Sequence, residues 1–258
     1  MTPTALRTWT EALTARIARD GPVPVRYTQR LDDQVLAAEG HVMEAFYWSP
    51  LDIKLPRGVP KDTLLLHVRT PLCDGPLQWE GRDLSRPSPH VLEPIVNDQG
   101  STWKLEVLEP EAALRPPFSV VLLRVQDGAV LYMATEADDT IRLPGGEVLP
   151  EDGDVWVEPT KTVQTALLRH LRRDLQWAPP VDMLTEVQRA PFLGEDGITR
   201  VRVVYTTTAP LPDDFFLMPV DTYLGLTVSP AEDAQLFLHQ GLFTVDDVGE
   251  EEVATPVG

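Results

Sequence analysis

Two groups of residues in this chain have types and spacing that could do chemistry. The first is Leu143-Pro144-Gly145-Gly146, paired glycines in a turn-forming sequence that follows Ile141-Arg142. The second is Arg169-His170-Leu171-Arg172-Arg173-Asp174, a run of ionisable side chains broken by one leucine. Backbone N–H groups around paired glycines can form an anion-binding nest. Arginine holds phosphate through a bidentate fork. Arg142, Arg169 and Arg173 could therefore face a diphosphate, with His170 beside them. Asp174 is the carboxylate of the cluster that could offer oxygen to a hard divalent cation. The plainer alternative is that Arg172 and Arg173 belong to a solvated helix face and pair with nearby acids.

These residues need elements to position them. Val163, Leu167, Leu171 and Leu175 recur at helical spacing, which predicts a helix over 160–176 with one apolar stripe. At about 100° per residue, positions 170, 173 and 174 then share a second face. Upstream, "FSVVLLRVQDGAVLYMATE" reads as a β-hairpin turning at Asp127-Gly128. Downstream, "DMLTEVQRAPFL" and "ITRVRVVYTTTAPL" read as strands around Gly194-Glu195-Asp196-Gly197, and "PAEDAQLFLHQG" as a short helix or strand. At the N-terminus, Leu6, Trp9, Leu13 and Ile17 mark an amphipathic helix stopped by Asp20-Gly21-Pro22. From Val23 to about Pro110 the chain reads as short strands: "VPVRYTQRL", "EAFYWSP", "TLLLHVRT", "PLQWEG" and "STWKLEVLEP". Turns are expected at Cys73-Asp74-Gly75-Pro76 and Arg86-Pro87-Ser88-Pro89. A boundary at "EPEAALRPPFS" divides an N-terminal helix and β-rich region (1–114) from a second domain (115–250), with a flexible acidic tail at 251–258. The class expected is mixed α/β, of the α+β type.

The segment from Phe118 to about Val248 resembles the Nudix hydrolase family. The likeness rests on the hairpin, on "RLPGGEV" at Arg142–Val148, and on a helix in the register of the family's signature box. That box is Gly, five residues, Glu, seven residues, then Arg-Glu-apolar-x-Glu-Glu-x-Gly-apolar. Here its second half aligns as Arg169, His170, Leu171, Arg172, Arg173, Asp174, Leu175, Gln176 and Trp177. The arginine and both apolar positions survive. The first Glu is replaced by His170, the next two by Arg173 and Asp174, and the Gly by Gln176. Gly146 and Arg169 stand 23 positions apart, nine more than in the usual box. The resemblance implies an α/β/α sandwich with a mixed sheet and a nucleoside-diphosphate derivative as ligand class. In the family the box Arg often pairs with the loop Glu, which the resemblance implies for Arg169 as well.

In the family the helix face carries three carboxylates that hold Mg²⁺ or Mn²⁺, and the ions polarise the diphosphate and activate water. Here the face presents neutral His170, cationic Arg173 and anionic Asp174. A guanidinium about 5 Å from a dication costs about 7 kcal/mol at an effective dielectric near 20. The substitutions therefore point to binding more than turnover. An alternative is an active divalent-metal-dependent pyrophosphohydrolase that uses Asp174 with acids of the inserted loop. Glu147, Glu151, Asp152, Asp154 and Glu158 are the candidates there, and Asp213-Asp214 and Glu232-Asp233 are later ones. A third reading is an interaction or scaffold subunit, with a second copy of the chain as a candidate partner.

Bulk properties narrow the classes. The 258 residues are 43% hydrophobic and 24% charged, enough for a sizeable core. The net charge of −18 disfavours a nucleic-acid partner, which must be met by neutralising phosphates. Apolar runs are strand-sized, so no membrane span is expected. With no secretion signal in the first residues, the default location is cytoplasmic. Cys73 is the single cysteine, which excludes an intramolecular disulfide. His41, His67, His90, His170 and His239 show no pair at zinc-ligand spacing. Trp48, Trp79 and Trp103, with Phe46 and Tyr47, could stack a base, but strand aromatics more often fill cores.

Overall fold

The computed structural model describes residues 3–31, 34–48, 63–80, 91–92, 102–109, 114–134, 141–194, 196–212, 215, 217–227 and 230–239. Helix α1 (Pro3–Asp20) is followed by β1 (Val23–Leu31), β2 (Gln34–Trp48), β3 (Thr63–Thr70), β4 (Cys73–Glu80), β5 (Val91–Leu92) and β6 (Thr102–Val107). Next come β7 (Phe118–Leu122), β8 (Val125–Gln126), β9 (Ala129–Leu131), β10 (Met133–Ala134), β11 (Ile141–Arg142) and β12 (Gly145–Glu147). The remainder is α2 (Pro159–Leu175), β13 (Leu184–Leu193), β14 (Thr199–Thr207), β15 (Leu217–Pro219), α3 (Val220–Leu226) and α4 (Pro230–His239). The protein is thus a mixed α+β chain. By contact it falls into two compact units. One is Met1–Ser119 with Glu147–Leu149 and Arg189–Val203, the other Val120–Gly146 with Pro150–Gln188 and Val204–Gly258.

The first unit holds a six-stranded antiparallel sheet in the order β4-β3-β2-β1-β6-β5. The helical stripe read from the sequence buries Leu6, Trp9 and Leu13 against Val23, Val25, Tyr27, Val42, Leu64, Leu66, Val68 and Leu105. Strand β3 shows why one face suffices: its residues alternate between buried and half-buried along its length. Gly21 ends α1 at φ +85°, its N–H donating to the Ile17 carbonyl at 2.9 Å.

Two expectations are corrected here. Cys73-Asp74-Gly75-Pro76 is not a turn but the start of β4, with Thr70 opposite Cys73 and His67 opposite Pro76. The turn is Pro71-Leu72, and the Thr70 hydroxyl accepts from the Cys73 N–H at 3.0 Å. Proline is tolerated at position 76 because β4 lies at the edge of the sheet. Strand β2 also begins at Gln34, ten residues before the "EAFYWSP" stretch. Its Ala37-Ala38-Glu39-Gly40 lacks strand propensity. Pairing with β1 along its whole length and with β3 from His41 imposes the extended form.

The other strands form sheets in the orders β12-β7-β14-β13, β15-β9-β8 and β10-β11. Asp127 (φ +51°) and Gly128 (φ +75°) make the two-residue turn between β8 and β9, as expected from their sequence. The hairpin is shorter than expected, however. Residues 118–122 leave it for another sheet, and Met133-Ala134 pair instead with Ile141-Arg142. A buried cluster of Leu123, Val130, Ile141, Leu143, Val204, Val220, Tyr223, Leu236 and Phe237 forms the core of the second unit. The 230–239 stretch resolves as helix α4. The expected turn at 86–89, the acids Asp213-Asp214 and the 251–258 tail lie outside the described residues.

Candidate functional site

Helix α2 buries Val163, Ala166, Leu167 and Leu171, as its apolar stripe requires, and Leu168, Thr162 and His170 as well. Pro159 opens it, where the missing N–H costs no helical bond. Gln176 closes it in the left-handed conformation, φ +52° and ψ +24°, its N–H directed at the Leu171 carbonyl. Gln176 thus stands at a position where glycine would carry the least strain.

Both glycines of Leu143-Pro144-Gly145-Gly146 are used by packing. Gly145 has φ +146°, and a Cβ there would stand 2.8 Å from the Val121 Cα and collide with the Val120 carbonyl. Its missing side chain lets β12 close against β7, beside the bond from the Leu122 N–H to the Pro144 carbonyl at 2.8 Å. At Gly146 a Cβ would enter the imidazole of His170, standing 2.8 Å from Nε2. The His170 ring lies against the Gly146 backbone, and only 5% of the residue is exposed. One expected site residue is therefore seated directly on another.

Around His170, Arg173 and Asp174 are joined through one guanidinium. Arg173 donates to both Asp174 oxygens, from Nη2 to Oδ2 at 2.9 Å and from Nε to Oδ1. Arg173 Nη2 also stands 3.1 Å from His170 Nδ1. Arginine has no acceptor, so a hydrogen bond between these two nitrogens is one that Nδ1 accepts, which requires the tautomer with its proton on Nε2. Asp174 Oδ2 is 4.0 Å from the same nitrogen. The Asp174 carboxylate holds the Arg173 guanidinium in its charged form, raising an already high pKa.

A second pair joins α2 to the inserted loop. Arg169 donates from Nε and Nη2 to the two oxygens of Asp152, both at 2.7 Å. The Asp152 side chain is 1% exposed and that of Arg169 27%, so this is a bidentate fork buried on its acidic side. Asp152 sits in a short 3-10 turn, Pro150–Asp152. The next residue, Gly153, has φ +128° and would place a Cβ 2.8 Å from the Thr162 hydroxyl of α2. The sequence singled out Asp152 only as one acid among five; its role follows from its burial. The other acids of the loop have different surroundings. Asp154 accepts from the Trp156 N–H at 2.9 Å, Glu158 pairs with Lys161 at 2.9 Å, and Glu147 and Glu151 are exposed. Arg142 is exposed on β11, and Arg172 is exposed on α2. Asp233, another candidate, is buried and accepts from the Tyr223 and Thr227 hydroxyls at 3.0 and 3.1 Å, which ties α4 to α3.

The fit of this face to Mg²⁺ or Mn²⁺ can be judged from its donors. Asp174 is the single carboxylate among positions 170, 173 and 174, and Arg173 engages both its oxygens. His170 Nδ1 faces the same guanidinium. No group of three His, Cys, Asp or Glu side chains able to hold a metal ion occurs among the described residues. The α2 face does not fit a resident dication.

No family model and no curated protein matches the chain. Among solved structures it is similar to a Nudix hydrolase from Nitrosomonas europaea (TM-score 0.35, 13% identity, 55% of this chain and 100% of that one). It is also similar to the Ap4A hydrolase of C. elegans (TM-score 0.34, 14% identity, 50% of this chain and 98% of that one). A third is a MutT Nudix hydrolase from Burkholderia pseudomallei (TM-score 0.31, 20% identity, 42% of this chain and 85% of that one). No helix among the described residues is long and apolar enough to cross a membrane.

Proposed function

We propose that residues 115–250 form a Nudix-like domain that binds a nucleoside-diphosphate derivative without efficient metal-dependent hydrolysis. The box register read from the sequence supports this, as does the conformation around it. The Gly-Gly strand is held against β7, the box arginine is forked to a loop acid, and the box glycine position is left-handed. The observation that carries the reading is the His170–Arg173–Asp174 set, in which Arg173 engages both Asp174 oxygens and faces His170 where three carboxylates would be needed. Arg173 puts a fixed cation on this face, and its side chain is 56% exposed. A phosphate group can accept two parallel bonds from it, as a carboxylate does. Gly145, Gly146, Arg169, His170 and Arg142 are the further candidates for phosphate contact. A guanidinium supplies positive charge but no activated water, so binding is separated from turnover.

The test is a melting panel of ADP-ribose, dinucleotides and nucleotide sugars in EDTA. A true ligand raises Tm by mass action, by about 2.7 kcal/mol of stability at a hundred times its Kd. The gain is expected to persist without metal and to vanish in Arg173→Glu. Release of AMP or phosphate in Mg²⁺ or Mn²⁺, abolished by Asp174→Asn, would establish the active hydrolase instead.

A further inference from the structure

The exposed fork of Arg173 is already occupied by a group of its own helix. Among the described residues its guanidinium meets Asp174 through Nε and Nη2 and His170 through Nη2. The two partners differ in exposure: 56% for the Arg173 side chain and 12% for that of Asp174. The cation therefore faces solvent while its counter-ion sits behind it. Arg169 lies one turn back on the same helix, already paired with Asp152.

We propose that Asp174 is an internal competitor for the anion, holding the two-pronged edge of Arg173 that a ligand phosphate would take and so setting the affinity of the site. This rests on the reading that the α2 face binds a nucleoside-diphosphate derivative, and it adds how that binding is restrained. A carboxylate and a phosphate present the same paired oxygens to a guanidinium, so the two exclude each other. The Arg173–Asp174 pair is largely exposed on its cationic side, and such pairs contribute little. A diphosphate brings more charge and displaces the carboxylate, at the expense of the pair and against the repulsion of Asp174. Asp174→Asn keeps the size of the side chain and removes both obstacles.

Inorganic pyrophosphate in EDTA is the probe, titrated calorimetrically into the whole chain. Asp174→Asn is expected to bind it roughly three- to five-fold more tightly than the wild type, the range that loss of one such pair allows. The double variant Arg173→Gln with Asp174→Asn should lose that gain. Equal or weaker binding by Asp174→Asn, or a gain that survives in the double variant, overturns the proposal. Should Asp174→Asn lose its helical circular dichroism signal, Asp174→Ser carries the same comparison. If the wild type responds to nucleotides while Asp174→Asn leaves pyrophosphate affinity unchanged, the competitor role fails and the binding reading stands. If neither folded protein binds pyrophosphate or any nucleotide of the panel, both fail.

Discussion

Gln176 shows how a single position can be constrained by backbone geometry whatever its side chain. It holds φ +52° at the end of α2, a conformation that costs most residues about 1 kcal/mol or more and glycine almost nothing. Part of that gain is cancelled, because glycine also loses more freedom on folding. Gln176→Gly is therefore expected to stabilise the protein by about 0.5–1 kcal/mol, read from the denaturant midpoint. A loss of stability would show that the glutamine side chain offsets the strain. Gly146 and His170 teach the complementary lesson. Each stands out in the sequence for its own chemistry, and the fold joins them in a contact that neither alanine nor a bulkier residue at position 146 could share.

At the scale of elements, the inserted loop is a built part of the fold. Its acids read from the sequence as a solvated charge run or as substitute metal ligands. The structure places Asp154 in a turn, Glu158 at the helix start and Asp152 in the fork with Arg169, and leaves Glu147 and Glu151 exposed. That fork is a polar tie between loop and α2, and Asp152→Asn removes its buried charge. Asp152→Asn is expected to cost about 2 kcal/mol, below the 3–5 typical of a fully buried pair because Arg169 is partly exposed. Chemical denaturation measures this directly. A cost under about 0.5 kcal/mol would place the pair with solvated surface bridges instead.

For the whole molecule, the net charge of −18 governs encounters with polyanions. A duplex binds through many phosphates at once, so a strongly acidic surface opposes it over its full length. A small diphosphate meets a few fixed donors, and the distant field is screened beyond about 10 Å at 0.1 M salt. The chain is therefore expected to give no mobility shift with duplex DNA at 50 mM salt while retaining its nucleotide-induced rise in Tm. A salt-sensitive shift would reveal a basic surface that overrides the net charge. The two compact units each carry a hydrophobic core of their own, and Arg142, Asp152, Arg169, His170, Arg173 and Asp174 belong to the second.

Much of this architecture was legible in the sequence because it depends on periodicity and local turn chemistry. The α1 and α2 stripes, the limits of β1 and β3 and the Asp127-Gly128 turn all rest on neighbours within a few residues. So did the composition of the α2 polar face, since helical geometry alone brings positions 170, 173 and 174 together. Sequence could not show that Cys73–Pro76 is strand, that β2 starts at Gln34, or that residues 118–122 leave the hairpin. In each case hydrogen bonds to a distant strand outweigh local propensity. Nor could it select Asp152 from five acids or seat His170 on Gly146. Those contacts join residues 17 and 24 positions apart, and burial, which only the folded chain creates, decides which charges must be paired.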